Sequence, residues 1–407
     1  MSSFNLMDTT LKIRLISNFF QQLITTAFIP FIALYLNDMM GTKFTGIFLV
    51  TLVLINMPMG ILGGYIIDVF SRKKTVIIYQ IIMTTSLFFM GLSLTSQFEN
   101  IFIFCLSYII FSIIWGLQFP AMEAIIMDAI TPEVENFVFK FDYWLENTAI
   151  ALGMLLGGVF YYTNKSALIF LSSLIFFFVL LSLWKWLPNS IIVNKTNKEI
   201  YNFSSIIKSY KQVFKDKRYA LLIVAFSLLV TAELSTSSYV ALRLQEEFNS
   251  VSFMNFTIDG VRMFSLVMIT NTVIVVSMSF LILKVSSMFS NKAILIIGLS
   301  LYLIGYTNIT HLNSFYLLIL AMAIAAIGEI IYSPIVQEQK YKLIPPDKRG
   351  SYSAIGNLGF NLSELLARLG IILGTFLSVF GMTVYMLLIL LMGSIGLYLA
   401  IHFKRTI

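Results

Sequence analysis

The sequence predicts an all-α integral membrane protein: twelve transmembrane helices in two pseudo-symmetric six-helix bundles. Three observations predict it. Of 407 residues, 58% are hydrophobic and only 12% charged, with a mean hydropathy of +0.88, too apolar to clothe a water-soluble core in polar surface. Apolar windows of about 20 residues, the length that crosses a ~30 Å hydrocarbon layer, recur twelve times along the chain. They fall six and six around one polar stretch, Pro188 to Arg218.

In chain order the first six windows run from Leu11 to Leu36, Thr45 to Phe70, Thr75 to Leu94, Ile101 to Met127, Phe137 to Tyr162 and Ala167 to Trp186. The second six run from Tyr219 to Leu242, Val261 to Lys284, Ala293 to Asn308, Ser314 to Gln339, Ser351 to Phe380 and Met382 to Phe403. Residues 1–187 are therefore read as an N-terminal bundle, 188–218 as a linker and 219–407 as a C-terminal bundle. The opening run, MSSFNLMDTTLKIRL, is followed by no small-residue cleavage site and is expected to remain as a signal anchor. A single cysteine, Cys105, excludes an internal disulfide and any cysteine-based metal site, and reads as a small helix-packing residue.

Lysine and arginine placement sets the expected orientation. The linker holds Lys195, Lys198, Lys208, Lys211, Lys215, Lys217 and Arg218, and loops on its side hold Arg72, Lys73, Lys74, Lys284, Lys292, Lys340, Lys342, Lys348 and Arg349. The other side has Lys43, Lys165, Arg243 and Arg262. By the positive-inside rule both termini and the linker are cytoplasmic. The formal charge of +7 is then a matter of topology, and no nucleic-acid partner is expected. Ile206, Ile207, Tyr210, Val213 and Phe214 recur at helical spacing among the linker lysines. They read either as an interfacial helix on anionic headgroups or as a solvated tether.

The connection between the second and third windows reads GGYIIDVFSRKK, Gly63 to Lys74. Gly64 permits close helix approach. The pattern of Gly64, Asp68, Arg72 and Lys73 resembles the loop signature of the major facilitator superfamily, with Val69 in place of the usual base and Ser71 in place of the usual glycine. The resemblance implies that Asp68 stands at the cytoplasmic mouth, where it can pair with Arg72 and face the positive start of the eleventh helix as a latch on the inner gate. The stretch IIMDAITPEVENFVFKFDYWLEN, the run AIGEIIYSP at Ala326 to Pro334 and GSYSAIGN are similar to segments of the lactococcal proton-coupled multidrug exporter. The resemblance implies a drug:proton antiporter in a bacterial cell membrane, with coupling carboxylates at Asp68, Asp128, Asp142 and Glu329. Two departures stand out: there is no arginine near WGLQ, Trp115 to Gln118, and no proline in LGMLLGG, Leu152 to Gly158.

The acids carry the functional reading on their own account. An ionised carboxylate at mid-membrane costs several kcal/mol, so it needs a partner, a wet cavity or a proton. Asp142 and Glu146 continue at helical spacing to Ala149, Gly153 and Gly157, a face expected to abut another helix. Glu329 stands near mid-depth in the tenth window, with Tyr332 and Ser333 one turn on and a kink expected at Pro334. Glu233, amid TAELSTSS, reads as cavity lining, and Glu123 lies just beyond Pro120. Glu364 and Arg368, four apart, are read as a mutually neutralising structural pair, and Arg14 as snorkelling to the headgroups.

Proton coupling is thus expected at Asp142, Glu146, Glu329, Asp68 and Asp128, and substrate binding at Glu329, Glu233, Tyr332 and Glu123. The expected substrate is a lipophilic cation, suited by 37 phenylalanines and 20 methionines. No cofactor beyond the proton and a monomeric state are expected. Export of one dedicated metabolite, such as a siderophore, peptide or sugar derivative, is the alternative, with few polar mid-helix amides and four tryptophans against a sugar. A non-transporting receptor or scaffold is a third reading. HExxH, GxSxG, P-loop and cysteine–histidine patterns are absent, so no enzyme is expected.

Overall fold

The computed structural model describes residues 7–60, 62–63, 66, 70–131, 133–188, 213, 215–253, 256–286, 288, 290–345 and 349–402. The described helices fall at all twelve expected positions. They are α1 (Thr9–Phe28), α2 (Ile32–Met40), α3 (Thr42–Asn56), α4 (Arg72–Ser93), α5 (Ile101–Ala129), α6 (Glu135–Thr163) and α7 (Lys165–Trp186). There follow α8 (Lys217–Ser235), α9 (Ala241–Glu247), α10 (Gly260–Ser286), α11 (Asn291–Ile309), α12 (Phe315–Leu343), α13 (Arg349–Gly374) and α14 (Val379–His402). Among the described residues nine helical stretches are long and apolar enough to cross a membrane. α6 and α13 fall short because acids, Arg368, serines and asparagines dilute their hydropathy. α3 is short in its described part.

The sequence reading treats the first and seventh spans as unbroken helices, and both are interrupted. Pro30 lies in a 3-10 turn, Ile29–Phe31, between α1 and α2, as expected of a residue without an N–H to donate. A π-helical turn, Thr236–Val240, separates α8 from α9. Pro334, expected to kink its helix, is accommodated within continuous α12. The loop before α10 holds an antiparallel hairpin, Val251–Phe253 with Phe256–Ile258, in a stretch to which the sequence reading assigns no element. Its β-branched and aromatic residues suit that pairing.

The chain forms two compact units. One comprises Met1–Ile32 and Leu54–Asn197, the other Ala33–Val53 and Lys198–Ile407. In the first unit α1 packs on α5, α6 and α7, and α4 on α5 and α7. In the second, α8 packs on α13 and α14, α11 on α12 and α14, and α10 on α12. Span pairs one–five, one–six, three–four and three–six of the first unit thus recur as seven–eleven, seven–twelve, nine–ten and nine–twelve in the second. That is an internal repeat of the kind transporters use. The interfacial helix expected in the linker lies outside the described residues, apart from Val213.

Helix ends are closed by short polar side chains and by cations. Asp8, Asn164 and Asp216 accept from the first-turn N–H groups of Thr10, Ala167 and Tyr219 at 3.1, 2.8 and 3.1 Å. Lys73 donates to the Leu187 carbonyl after α7, and Arg218 to the carbonyls of Ala400 and Ile401 at 2.8 and 2.9 Å in α14. Positive charge there complements the helix dipole.

Small residues set how closely the spans approach. A Cβ on Gly157 would collide with the Phe31 ring and lie 2.5 Å from the Ala27 carbonyl, so α6 can meet α1 only without one. Gly328 of α12 is as constrained, its Cβ position 2.7 Å from the Gly298 carbonyl of α11. Gly328→Val forces these two helices apart. It is expected to lower stability by about 1–3 kcal/mol, read as a fall in the thermal unfolding midpoint of detergent-solubilised protein.

Candidate functional site

Four helices of the second unit converge on two carboxyls. Glu329 rides on α12 directly after Gly328, so the close α11–α12 approach brings it beside Tyr302 and Tyr306 of α11. Glu233 lies in the last turn of α8, and its carbonyl accepts the N–H of Thr236, the first residue of the π-turn. The two glutamates are each half-buried and interact electrostatically. From α10, Asn271 donates through Nδ2 to Glu329 Oε2 at 3.3 Å. Neither carboxyl has a basic partner among the described residues.

Three tyrosines form the wall behind them. The Tyr302 hydroxyl donates to the Leu229 carbonyl of α8 at 3.1 Å, one turn before Glu233. Its ring lies 4.6 Å from that of Tyr306 and meets Tyr332 edge-on at 5.0 Å. All three are at most 2% exposed, so Tyr332 backs the site rather than lining open space. At the π-turn and past it, Tyr239, Arg243, Glu246, Glu247, Gly374 and Thr42 help line a cavity of about 350 Å³.

Two ionised carboxylates side by side in a medium of low dielectric repel each other and lose hydration. Asn271 supplies one neutral donor. No basic side chain among the described residues balances the pair.

The first unit is arranged differently. Asp142 is half-buried, and its Oδ1 has no hydrogen-bond partner. Glu146, one turn along α6, is exposed, while Ala149, Gly153 and Gly157 of the same face pack as expected, the two glycines against α1. Gly64 and Asp68 lie outside the described residues, so the expected latch does too. Of its basic members, Arg72 is half-buried and Lys73 caps α7. Glu123 and Asp128 fall on α5, but their side chains lie outside the described part of the structure.

Arg14 corrects the sequence reading. It is 3% exposed, and its Nε donates to the Met122 carbonyl of α5 at 3.1 Å, so it is an internal charge and not a headgroup anchor. A buried amide cluster went unread as well. Gln80 Oε1 accepts from Gln21 at 2.9 Å and Gln118 at 3.2 Å, and Gln80 Nε2 donates to the Phe176 carbonyl at 3.0 Å. In the second unit, Asn271, Tyr302 and Tyr306 were missed. Their only sequence signal is a polar or aromatic residue amid an apolar run.

Repeated helical units with uncompensated carboxyls in a membrane core define a polytopic membrane transporter. The chain belongs to the Major Facilitator Superfamily, whose model matches residues 14–367. Among curated relatives, a Na(+), Li(+), K(+)/H(+) antiporter of Planococcus maritimus is 22% identical over 381 residues, covering 89% of each chain. An uncharacterized MFS-type transporter of Bacillus subtilis (strain 168), YqjV, is 22% identical over 85% of this chain and 81% of its own. Two solved structures share the fold. A peptide transporter POT in complex with sulfate has a TM-score of 0.72 at 15% identity, covering 96% of this chain and 94% of that one. The nucleoside transporter NupG has a TM-score of 0.69 at 14% identity, covering 98% and 100%.

Tyr302→Phe removes the hydroxyl that ties α11 to α8 while leaving the ring in place. The expected loss is about 1 kcal/mol, seen as a lower unfolding midpoint in detergent. An unchanged midpoint would mean that this bond does not hold the wall together.

Proposed function

We propose that this protein is a proton-coupled antiporter that expels a cation, with Glu233 and Glu329 as the site where proton and cargo compete. The observation that carries this reading is the half-buried carboxyl pair, met by one carboxamide and by no basic side chain among the described residues. In one orientation the pair takes up the cation and releases its protons; exposed to the opposite side, it is reprotonated and the cation leaves. Moving one charge through 100 mV is worth about 2.3 kcal/mol, which adds to any pH gradient.

The cargo we favour is a lipophilic organic cation, matched by the phenylalanine- and methionine-rich spans. A small alkali cation is the second reading, favoured by the name of the Planococcus relative and by the oxygen ligands that two carboxylates and Asn271 offer. The setting we infer is a bacterial plasma membrane. The lysine-rich ends and linker face the cytoplasm, the linker against anionic headgroups, and the transporter works as a monomer without a cofactor.

Everted vesicles carrying an inside-acid gradient test the exchange. Adding ethidium, or Na⁺ or K⁺, to the parent should dissipate the gradient. Because proton and cargo share one site, the apparent KM should rise as the pH falls. Glu233→Gln and Glu329→Gln should each lower cation-evoked proton release at least roughly tenfold, the loss expected when one charged contact to a desolvated cation is removed. Gradient-driven exchange that survives both substitutions in one chain would remove the pair from the mechanism. A response to ethidium alone, or to alkali cations alone, decides the cargo.

A further inference from the structure

The seventh span carries a discontinuity where the exchange site begins. α8 ends two residues after Glu233, the π-turn Thr236–Val240 follows, and α9 resumes. A π-turn holds an extra residue, so it rotates the face presented on one side of it relative to the other, and such turns occur often at functional sites. Nothing in TSSYV makes the turn compulsory. No proline or glycine is present, and an ordinary α-helix of the same residues would keep a regular ladder.

What holds it comes from α13. Arg368 is 8% exposed. Its Nη1 donates to Ser238 Oγ at 3.1 Å and to the Ser237 carbonyl at 3.4 Å, both within the π-turn. Its Nη2 lies 3.6 Å from Glu364, one turn back on its own helix. Tyr239, from the same turn, sits over Gly374, where a Cβ would come within 2.7 Å of the ring. Nearer the start of α8, a Cβ on Gly359 would lie 2.5 Å from Ile223 and 2.8 Å from Ser227. α13 is thus fitted both to α8 and to the turn that follows it, with a guanidinium at the discontinuity itself.

We propose that Arg368 is a positioning residue for cation–proton exchange: its fork holds the π-turn in the seventh span and thereby aims Glu233 at Glu329, while Glu364 fixes the fork. The inference rests on the exchange site proposed above. Stability gives little reason for this arginine. Burying a guanidinium is costly, its ion-pair partner is 35% exposed, and an apolar side chain of similar volume would fill the space with less desolvation. A planar group that reaches a backbone carbonyl and a hydroxyl together does explain arginine, and explains why lysine is no substitute. Around Glu233 the charged and titratable neighbours are Glu329 and Tyr332 of α12 and Tyr302 and Tyr306 of α11. A rotation of Glu233 changes its distance to all of them at once.

The test uses Arg368→Gln, Arg368→Lys and deletion of Ser237, which returns the span to α register, in the vesicle assay above. Arg368→Gln should raise the KM for the cation roughly tenfold, the effect of about one lost charge-assisted contact. It should also displace the pH midpoint of exchange, with maximal rate changed less. Arg368→Lys should move both in the same direction by less. The Ser237 deletion should abolish exchange, and adding Arg368→Gln to it should change nothing further. A merely structural arginine predicts lower protein yield and unfolding temperature, with KM and pH midpoint unchanged in the protein that remains. That outcome overturns the proposal, as does exchange that persists after the deletion. If Arg368→Gln fails to accumulate, Arg368→Lys decides by the same two readouts. A parent that exchanges no cation for protons overturns the functional reading instead; a parent that does so alongside an unaltered Arg368→Gln overturns only this inference.

Discussion

Hydrocarbon treats buried acids and buried bases unequally, because a helix offers them different partners. Inside an α-helix every backbone N–H is already engaged, whereas each carbonyl oxygen keeps a second lone pair. A buried cation can therefore be satisfied almost anywhere along a neighbouring span, and a buried carboxylate only near a helix N-terminus or opposite a side-chain donor. The cations of this protein find such carbonyls, Arg14 within a helix and the others at helix C-termini. Arg14 reaches the Met122 carbonyl, Lys73 that of Leu187 and Arg218 those of Ala400 and Ile401. Arg243 donates to Ile309 and Leu312 at 3.2 and 2.7 Å, at the end of α11. Glu329 sits well inside α12 with one carboxamide to meet it, and Glu233 ends α8, where carbonyls are free and N–H groups are not. Among the described residues no basic side chain completes those two groups, and the exchange proposed above uses that opening.

The site is thus built by subtraction. Glycines at positions 298 and 328 let α11 and α12 close until Glu329 meets a tyrosine wall. The wall is fully buried, and its Tyr302 hydroxyl is spent on a backbone carbonyl of α8, which ties α11 to α8 and gives rigidity. A rigid surround with no basic side chain among the described residues makes the energy of the pair sensitive to its occupant. In the exchange proposed above, that sensitivity couples two ions through one place.

Much of this was legible in the sequence. Twelve apolar windows and a lysine-rich linker give the spans, and Glu233 and Glu329 stand out as charges in apolar runs. The Gly153 and Gly157 stripe could be read because helical periodicity puts both on one face. What could not be read is which polar residues meet across helices. Asn271 and Gln80 look like isolated interruptions until the fold sets them beside Glu329 and Gln118. Arg14 falls in the first turns of its helix, where snorkelling is the default, and only the packing of α5 against α1 reveals that it points inward. The π-turn leaves no local mark at all, since its cause is a side chain 130 residues away.

That last point follows from the internal repeat. The first and seventh spans are interrupted at comparable depths, and in each an aromatic of the irregular turn lies on a glycine of the partner span: Phe31 on Gly157, Tyr239 on Gly374. Each glycine has another four residues before it, Gly153 and Gly370. The causes of the two turns differ. Pro30 lies within the 3-10 turn and enforces it from inside, so α6 need only provide room. The wider turn of the seventh span contains no proline, so the donor must come from α13. Six residues before Gly374 stands Arg368; six before Gly157 stands Ala151. One half therefore has a break fixed by its own backbone, and the other a break held by a charged side chain from a neighbouring helix. Only the second kind can be released by a change in local charge, and it lies beside Glu233, the acid whose charge changes in the exchange proposed above.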